Sequence, residues 1–197
     1  MCNNYKLEVP AAQLAMAFEE PLQYPGGVPN LEPRADIRIG DQAPVVMRGD
    51  NGLELRTIPW AWRSPQGRPV FNFRSEGRDF SSSRRCLIPA DGFYEFTDPE
   101  PGHKRKTKWL FTRTDGEWFW IAGVIRDEAF AMLTTEPGPD VAPYHDRQIV
   151  LLSRMRGIEW LDTTRPSPDL SVPLETGRLA VTKMYPLPIA DAQGLGS

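Results

Sequence analysis

The stretch RCLIPADGFYEFT, residues 85–97, decides the fold class. It consists of two short runs of β-favouring residues, Arg85–Pro89 and Phe93–Thr97, separated by Ala90-Asp91-Gly92. Side chains alternate between the faces of a strand, so Phe93 and Glu95 lie on one face of the second run, with Tyr94 and Phe96 on the other. The stretch therefore predicts two β-strands, the second with a carboxylate among aromatic side chains.

Similar runs continue on both sides of this stretch, with turn residues such as those at 49–52 and 114–117 between them, a pattern typical of hairpins. The further predicted strands are Ala43–Arg48, Leu53–Ile58, Lys108–Thr114, Trp118–Val124, Phe130–Thr134 and Leu179–Met184. Helix-forming residues favour two short helices, Ala11–Glu20 and Ser153–Leu161, the latter with Ser153 near its N-cap. We therefore predict an α+β fold in one domain, residues 1–197, with an antiparallel sheet or open β-barrel core and peripheral helices.

Composition limits the protein class. The chain has 197 residues, of which 40% are hydrophobic, enough to form a core. No apolar run is long enough to span a membrane and the N-terminus lacks a signal-peptide pattern, so we expect a cytoplasmic protein without membrane contact. Two Cys and two His residues in no ligand spacing predict neither a metal site nor a cofactor.

The charge is uneven along the chain. The formal net charge is −3, yet residues 62–113 hold eleven Lys and Arg against six Asp and Glu. Such a segment is commonly a solvated surface, but its local excess of positive charge is compatible with a nucleic-acid partner. The acidic balance of the whole chain therefore does not exclude DNA binding.

Cys2 is the most informative single position. An initiator Met before a small residue is generally removed, which would leave Cys2 with a free α-amine beside its thiol. The reference pKa values of about 7.7–8.0 for the amine and about 8.5 for the thiol make a useful fraction of each nucleophilic near neutral pH. Such a 1,2-aminothiol condenses with an aldehyde to an imine and then a thiazolidine, or attacks a carbonyl through its thiol. From position alone, a Cys2 without any role is the more common interpretation.

Two further residues have proton-transfer chemistry. His145, in PYHDRQIVLL, has an unperturbed pKa of about 6.5, suited to proton transfer, although a surface or hydrogen-bonded core histidine is equally compatible with the pattern. Glu95 against aromatic surface would have a raised pKa and could exchange protons. The alternative for Glu95, favoured by pattern alone, is an edge-strand residue that faces water.

Several residues could contact DNA. Asn72 and Arg74 in FNFRSEG would point the same way from an extended segment, where an amide can orient a reactive group and a guanidinium can clamp a phosphate. The alternative is a polar strand face with Phe71 and Phe73 in the core. Trp60 and Trp62 offer rings for base stacking, although buried tryptophans are more usual. The basic run at 103–106 is expected to form a hairpin loop and is only a weak indication of phosphate contact.

Taken together, the motifs resemble the SRAP family, the SOS response-associated peptidase-like or abasic site processing proteins. The resemblance rests on Met1-Cys2, the NFRSE element at 72–76, RCLIPADGFYEF at 85–96, the IAG strand at 121–123, the LTT strand end at 133–135 and the HDR element at 145–147. These elements cover most of the chain in order and spacing.

The resemblance implies a protein that binds single-stranded DNA and captures abasic sites as a thiazolidine DNA–protein crosslink through mature Cys2. It implies that Asn72 positions the amino end, Arg74 contacts the phosphate next to the lesion, Glu95 handles protons, and His145 assists sugar ring opening. It also implies autoproteolytic removal of Met1. Further basic residues that could hold phosphates are Arg78, Arg84 and Arg85, and we expect a monomer.

Two alternatives remain open from the sequence. One is a cysteine peptidase or amidase that uses Cys2, His145 and Glu95. The other is a single-stranded DNA-binding module without the chemistry. Abasic DNA separates them, because only the crosslinking protein leaves a denaturant-resistant adduct, whereas simple binding is salt-sensitive.

Overall fold

The computed structural model describes residues 2–187, so Met1 and the last part of the predicted domain, 188–197, lie outside the described residues. Its elements, numbered along the chain, are β1 (Asn4–Leu7), α1 (Ala11–Ala15), β2 (Arg34–Arg38), β3 (Gln42–Gly49), β4 (Gly52–Pro59), β5 (Trp62–Arg63), β6 (Pro69–Val70), β7 (Asn72–Arg74), β8 (Arg84–Ala90), β9 (Gly92–Thr97), β10 (Thr107–Arg113), β11 (Phe119–Arg126), β12 (Ala129–Thr135), β13 (Gln148–Ile149), β14 (Leu151–Leu152), α2 (Arg154–Leu161), a 3-10 turn (Pro168–Leu170) and β15 (Leu179–Tyr185).

Two open sheets share one hydrophobic core. The five-stranded sheet has the order β15-β10-β9-β1-β2, and the larger sheet has the order β13-β12-β11-β8-β3-β4, with β14 also paired to β11 and β7 to β12. All these pairs are antiparallel except β7 with β12, and β5 and β6 form a separate small hairpin. The antiparallel core is as predicted, but in residues 2–187 neither sheet closes into a barrel and the helical share is small.

The eight predicted strands are present as β3, β4, β8, β9, β10, β11, β12 and β15, with ends shifted by one or two residues. The 49–52 turn joins β3 and β4 as the predicted hairpin. Helix α2 begins after Ser153, whose hydroxyl accepts a hydrogen bond from the Arg156 N–H at 3.3 Å, as the N-cap prediction required.

Two local predictions are wrong. Helix α1 ends at Ala15 rather than Glu20, because the chain turns there and brings Phe18 against Trp120, with ring centroids 5.6 Å apart. The turn at 114–117 is not a hairpin, since it connects β10 in the five-stranded sheet to β11 in the larger sheet.

The segment 85–97 passes from one sheet into the other. Strand β8 pairs with β11 and β3 in the larger sheet, whereas β9 pairs with β10 and β1 in the five-stranded sheet. At the crossing, Asp91 accepts a hydrogen bond from the Val9 N–H at 3.0 Å. Gly92 is needed there because a Cβ would lie 2.8 Å from the Phe111 carbonyl oxygen. This crossing places Glu95 in the core beside the start of β1.

Within residues 2–187, no helix has the length and apolar character that crossing a lipid bilayer requires.

Candidate active site

Cys2 lies just before β1, and β1 fixes its position. Strand β1 pairs with β9 through Tyr5 opposite Phe93, so the start of the described chain is held against the middle of the sheet. The Cys2 carbonyl accepts a hydrogen bond from Asn72 Nδ2 at 2.8 Å, and its thiol donates to the Asn4 carbonyl at 3.2 Å. Cys2 is only 1% exposed. The residue is therefore anchored at both its main chain and its side chain.

The surroundings of the Cys2 thiol keep it protonated. Burial raises the pKa of the thiol above its usual value, and the nearby charge of Glu95 raises it further. A thiol with a raised pKa is a weak nucleophile at neutral pH, because the thiolate is the reactive form. The surroundings of Cys2 therefore favour the thiol over the more reactive thiolate.

Glu95 lies on β9 opposite Trp109 of β10 and is 1% exposed. Burial raises its pKa from 4.5 to about 7, and the charge of Asp146 also raises it. The structure thus rejects the water-facing alternative and agrees with the predicted buried carboxyl. A group with a pKa near 7 both donates and accepts protons readily at neutral pH.

His145 borders the Glu95 carboxyl. Its Nε2 lies 3.9 Å from Glu95 Oε2, while Nδ1 lies 2.8 Å from Asp146 Oδ1 and accepts the Arg147 N–H at 3.0 Å. Burial lowers the pKa of His145, which favours the neutral imidazole at neutral pH. The structure therefore brings together Cys2, Asn72, Glu95 and His145, the four residues that the sequence analysis named for the chemistry.

Asn72 and Arg74 are on β7, which runs parallel to β12. Asn72 reaches inward to Cys2, and its Oδ1 is buried without a hydrogen-bond partner within residues 2–187. Arg74 is exposed, and in the same range no carboxylate lies within ion-pair distance of it. Glu76, the carboxylate nearest to Arg74 along the sequence, forms its ion pair with a different arginine. The Arg74 guanidinium is therefore available for an external anion.

Arg147 is a component of the site to which the sequence analysis assigned no role. Both of its terminal nitrogens bind the Glu76 carboxylate, with Nη2 to Oε2 at 2.9 Å, and Nη2 also donates to Thr134 Oγ1 at 3.0 Å. This bidentate pair joins the segment after β7 to the segment that carries His145. In the sequence, the HDR element at 145–147 was the available indication that Arg147 belongs to the site. Its pairing with Glu76 depends on contacts between distant segments and could not be predicted.

The structure corrects the proposed stacking role of Trp60 and Trp62. Trp60 is fully buried, stacked on Phe130 with centroids 6.2 Å apart, and its indole N–H donates to the Phe71 carbonyl at 2.9 Å. Trp62 is 5% exposed and lies under the guanidinium of Arg126. Neither ring is an open surface for a base, because the core needs their apolar area.

Arg85 is also corrected, since its side chain is fully buried and cannot reach a phosphate. Its guanidinium donates to four backbone carbonyls, those of Phe80, Trp160, Asp162 and Arg165, at 2.9–3.2 Å. Arg85 therefore fastens α2 and the loop before β8.

The other candidate arginines are at the surface. Arg78 lies over the Phe73 ring at 4.5 Å, and Arg84 pairs with Glu128 at 2.6 Å. The basic run at 103–106 is exposed in the hairpin loop between β9 and β10, as predicted. Across residues 2–187 there is no grouping of three or more His, Cys, Asp and Glu side chains suited to a metal ion.

The chain is similar to several known proteins. The model of the SOS response associated peptidase (SRAP) family matches residues 1–188. Among curated proteins, the abasic site processing proteins YoqW and YoaM of Bacillus subtilis are 29% and 30% identical over 127 residues. These alignments cover 56% of this chain and 56% and 55% of the relatives, so the chain spans about half the length of the curated relatives it matches.

Solved structures share the fold. A protein from Bordetella bronchiseptica matches with a TM-score of 0.67 at 22% identity, over 92% of this chain and 99% of that protein. One from Bacteroides thetaiotaomicron matches with a TM-score of 0.72 at 16% identity, over 92% and 91% of the two chains. At these identities the likeness concerns the architecture.

Proposed function

Because the chain belongs to the SRAP family, we propose that it processes abasic sites in single-stranded DNA by forming a covalent crosslink through mature Cys2. The observation that carries the proposal is that three chain-distant residues lie together around the start of the chain, one of them in direct contact with Cys2. Asn72 binds the Cys2 carbonyl, the charge of Glu95 acts on the Cys2 thiol, and His145 borders Glu95.

In the proposed reaction the Cys2 α-amine, free after removal of Met1, attacks the aldehyde carbon of the ring-opened abasic sugar. The resulting carbinolamine loses water and becomes an imine. The amine attacks first because burial holds the thiol in its unreactive protonated form. The buried Oδ1 of Asn72 has no hydrogen-bond partner within residues 2–187, and in the proposal it accepts a hydrogen bond from the new amine and thereby orients it.

The thiol then adds to the imine carbon and closes the five-membered thiazolidine. One carbon–sulfur bond forms, the thiol proton leaves, and the imine nitrogen gains a proton, so the only other product of the whole reaction is the water already lost. Glu95, with its pKa near 7, is the group suited to supply the proton for dehydration and to take the thiol proton afterwards.

His145 and Arg74 have supporting roles in the proposal. The closed sugar must open before the aldehyde is available, and a neutral His145 is suited to accept the proton of the sugar hydroxyl. Arg74, exposed at the end of β7, would hold the phosphate beside the lesion. One chain supplies all these groups, so the proposed active form is a monomer, and a cytoplasmic DNA-binding protein fits this role.

The peptidase alternative is supported less well. A cysteine peptidase needs a thiolate as its first nucleophile, and at this site burial raises the pKa of Cys2. Autocatalytic removal of Met1, which the resemblance implies, would require this same thiol to act.

The proposal is tested with single-stranded DNA that carries one abasic site. Wild-type protein is expected to give an adduct that survives heat and denaturant, with an intact mass that starts at Cys2. Cys2→Ala is expected to bind the DNA noncovalently almost as well but to form no stable adduct, because an imine without thiol closure reverses. Borohydride should trap that imine. Equal adduct yields from both proteins without reductant, or a crosslinked chain that retains Met1, would refute the mechanism.

A further inference from the structure

Glu76 lies close to two arginines, one buried and one exposed. Its carboxylate binds both terminal nitrogens of Arg147, whose side chain is 11% exposed, whereas the Arg74 side chain lies at the surface. The hydrogen bonds from Arg147 hold the pKa of Glu76 below its usual value, so this carboxyl is ionised at neutral pH. Glu76 is therefore a negative charge two residues from the arginine that the proposed function places on a DNA phosphate.

The backbone keeps Glu76 close to Arg74. Ser75, the residue between them, donates hydrogen bonds to the Thr134 carbonyl through its N–H and its hydroxyl, both at 2.9 Å. Thr134 is the register partner of Arg74 in the β7–β12 pair, and its own hydroxyl accepts a hydrogen bond from Arg147 Nη2 at 3.0 Å. Strand β12 therefore holds the carboxylate and both arginines together, and the charge of Arg74 also lowers the pKa of Glu76.

The charges of these three side chains add up to one positive charge, and it remains on Arg74. The pair of Arg147 and Glu76 is neutral as a whole, and within residues 2–187 no carboxylate lies at ion-pair distance from Arg74. A bidentate pair fixes the carboxylate by geometry as well as by charge. Without Arg147, Glu76 would be an uncompensated anion beside Arg74, where it would pair with that guanidinium and repel a phosphate.

We propose that Arg147 is a positioning residue that holds Glu76 away from Arg74 and thereby keeps the Arg74 guanidinium available for the DNA phosphate. This inference rests on the proposed function, in which Arg74 contacts the phosphate beside the lesion. Arg147 itself does not contact the DNA, because its side chain is buried and its terminal nitrogens are already bound to Glu76 and Thr134. The effect of Arg147 on DNA binding is therefore exerted through the charge of Glu76.

The test compares single and double variants on single-stranded DNA with an unreactive tetrahydrofuran residue at the lesion position. The log–log salt slope of binding is measured for each protein. In Arg147→Met we expect the slope to fall by about 0.7, as in Arg74→Ala, because one phosphate contact is lost. When Glu76→Gln is combined with Arg147→Met, the competing charge is absent as well, and the slope should return to the wild-type value. In an Arg74→Ala background, Arg147→Met should not change the slope further.

The matched control is Arg113→Met, because Arg113 forms a bidentate pair with Asp115 and its loss also leaves a carboxylate uncompensated. This variant should keep the wild-type slope. Circular dichroism checks that each variant is folded, and Arg147→Gln replaces Arg147→Met if the latter does not fold.

Two results would overturn the inference while wild-type protein still crosslinks abasic DNA. One is a wild-type slope in the folded Arg147 variant. The other is a reduced slope that Glu76→Gln does not restore, which would assign Arg147 a phosphate contact of its own. Absence of any crosslink with wild-type protein refutes the proposed function instead.

Discussion

At the scale of single residues, burial decides the chemistry of this protein. Glu95 and Arg85 are both charged side chains in the core, yet their environments differ. Arg85 is surrounded by backbone carbonyls that satisfy its guanidinium, whereas burial raises the pKa of Glu95 to about 7. The hydrogen bonds of Arg85 support the fold. The burial of Glu95 gives the site a group that exchanges protons near neutral pH, and it lowers the free energy of unfolding above neutral pH.

The stability of the protein should therefore depend on pH through Glu95. A carboxyl whose pKa is raised on folding stabilises the fold fully below its unfolded value of 4.5 and loses that contribution as the pH rises through about 7. Relative to Glu95→Gln, which does not titrate, wild-type protein should lose about 3 kcal/mol of unfolding free energy between pH 4.5 and about pH 8. Urea denaturation of both proteins measures this, and a constant difference across the range would contradict the raised pKa.

Arg85 should matter for stability and not for DNA. Arg85→Met keeps much of the apolar stem but leaves the four carbonyl acceptors without their donor, so we expect the free energy of unfolding to fall by about 3 kcal/mol or more. The neighbouring Arg84→Met removes a half-exposed ion pair with Glu128 and should change the free energy of unfolding by less than about 1 kcal/mol. Folded Arg85→Met protein with the salt dependence of wild-type DNA binding would agree with a structural role. A reduced salt dependence of DNA binding would instead indicate that Arg85 contacts a phosphate.

At the scale of elements, β7 carries two residues, two positions apart, to which the proposed function gives different roles. Asn72 contacts the anchored Cys2, and Arg74 is exposed at the end of the strand. The parallel pairing of β7 with β12 fixes both residues relative to the larger sheet. One short strand therefore aligns the reacting end of the chain with the proposed phosphate contact.

The two positions should respond differently to mutation. Arg74→Ala should weaken binding of any single-stranded sequence and reduce the log–log salt slope of binding by about 0.7, the increment for one phosphate on a single strand. Asn72→Ala should leave that slope unchanged and slow crosslinking at saturating DNA, since the amide carries no charge. Fluorescence titrations over a salt series and single-turnover crosslinking measure the two effects. Arg48→Ala, on the distant β3, is the control for general charge loss, and a slope identical to wild type in Arg74→Ala would make Arg74 structural.

The elements also show what the sequence can and cannot predict. Strands β3, β4, β8–β12 and β15 follow from alternation and β-branched residues, which are local signals. Strands β1 and β2 were missed because they are short, and β1 is completed by β9 about ninety residues later. Cys2, Asn72, Glu95 and His145 could be named through motifs, but the burial of Trp62 and the Arg147–Glu76 pair depend on contacts between distant segments, which no local pattern contains.

At the scale of the whole molecule, the start of the chain is enclosed by residues of several strands. Strand β1 is paired on both sides in the five-stranded sheet, between the central strand β9 and the edge strand β2, and Cys2 also contacts β7 of the larger sheet. The reactive terminus is thus a part of the core and not a free tail. Modification of the two chain ends should consequently have unequal effects.

A short, non-removable N-terminal extension should abolish crosslinking, because it converts the Cys2 amine into an amide. The same extension at the C-terminus should leave the adduct yield of wild type intact, since the last described strand, β15, is at the far edge of the sheet. Gel analysis of abasic-DNA adducts measures the yields, and circular dichroism confirms that both fusions fold. Crosslinking by the N-terminally extended protein would show that the α-amine is not the nucleophile.

The pairing of β1 with β9 also orders events during translation. Strand β1 cannot complete its pairing until β9, around residue 93, has been synthesised, which at about 5–20 residues per second takes on the order of ten seconds. During that interval the nascent N-terminus is not yet enclosed, and ribosome-associated aminopeptidases have access to it. In the folded protein the same terminus is enclosed, with Cys2 only 1% exposed, and is therefore closed to large enzymes. Met1 would thus be removed before the protein folds, and the Cys2 amine would be exposed to other cellular carbonyl compounds only briefly.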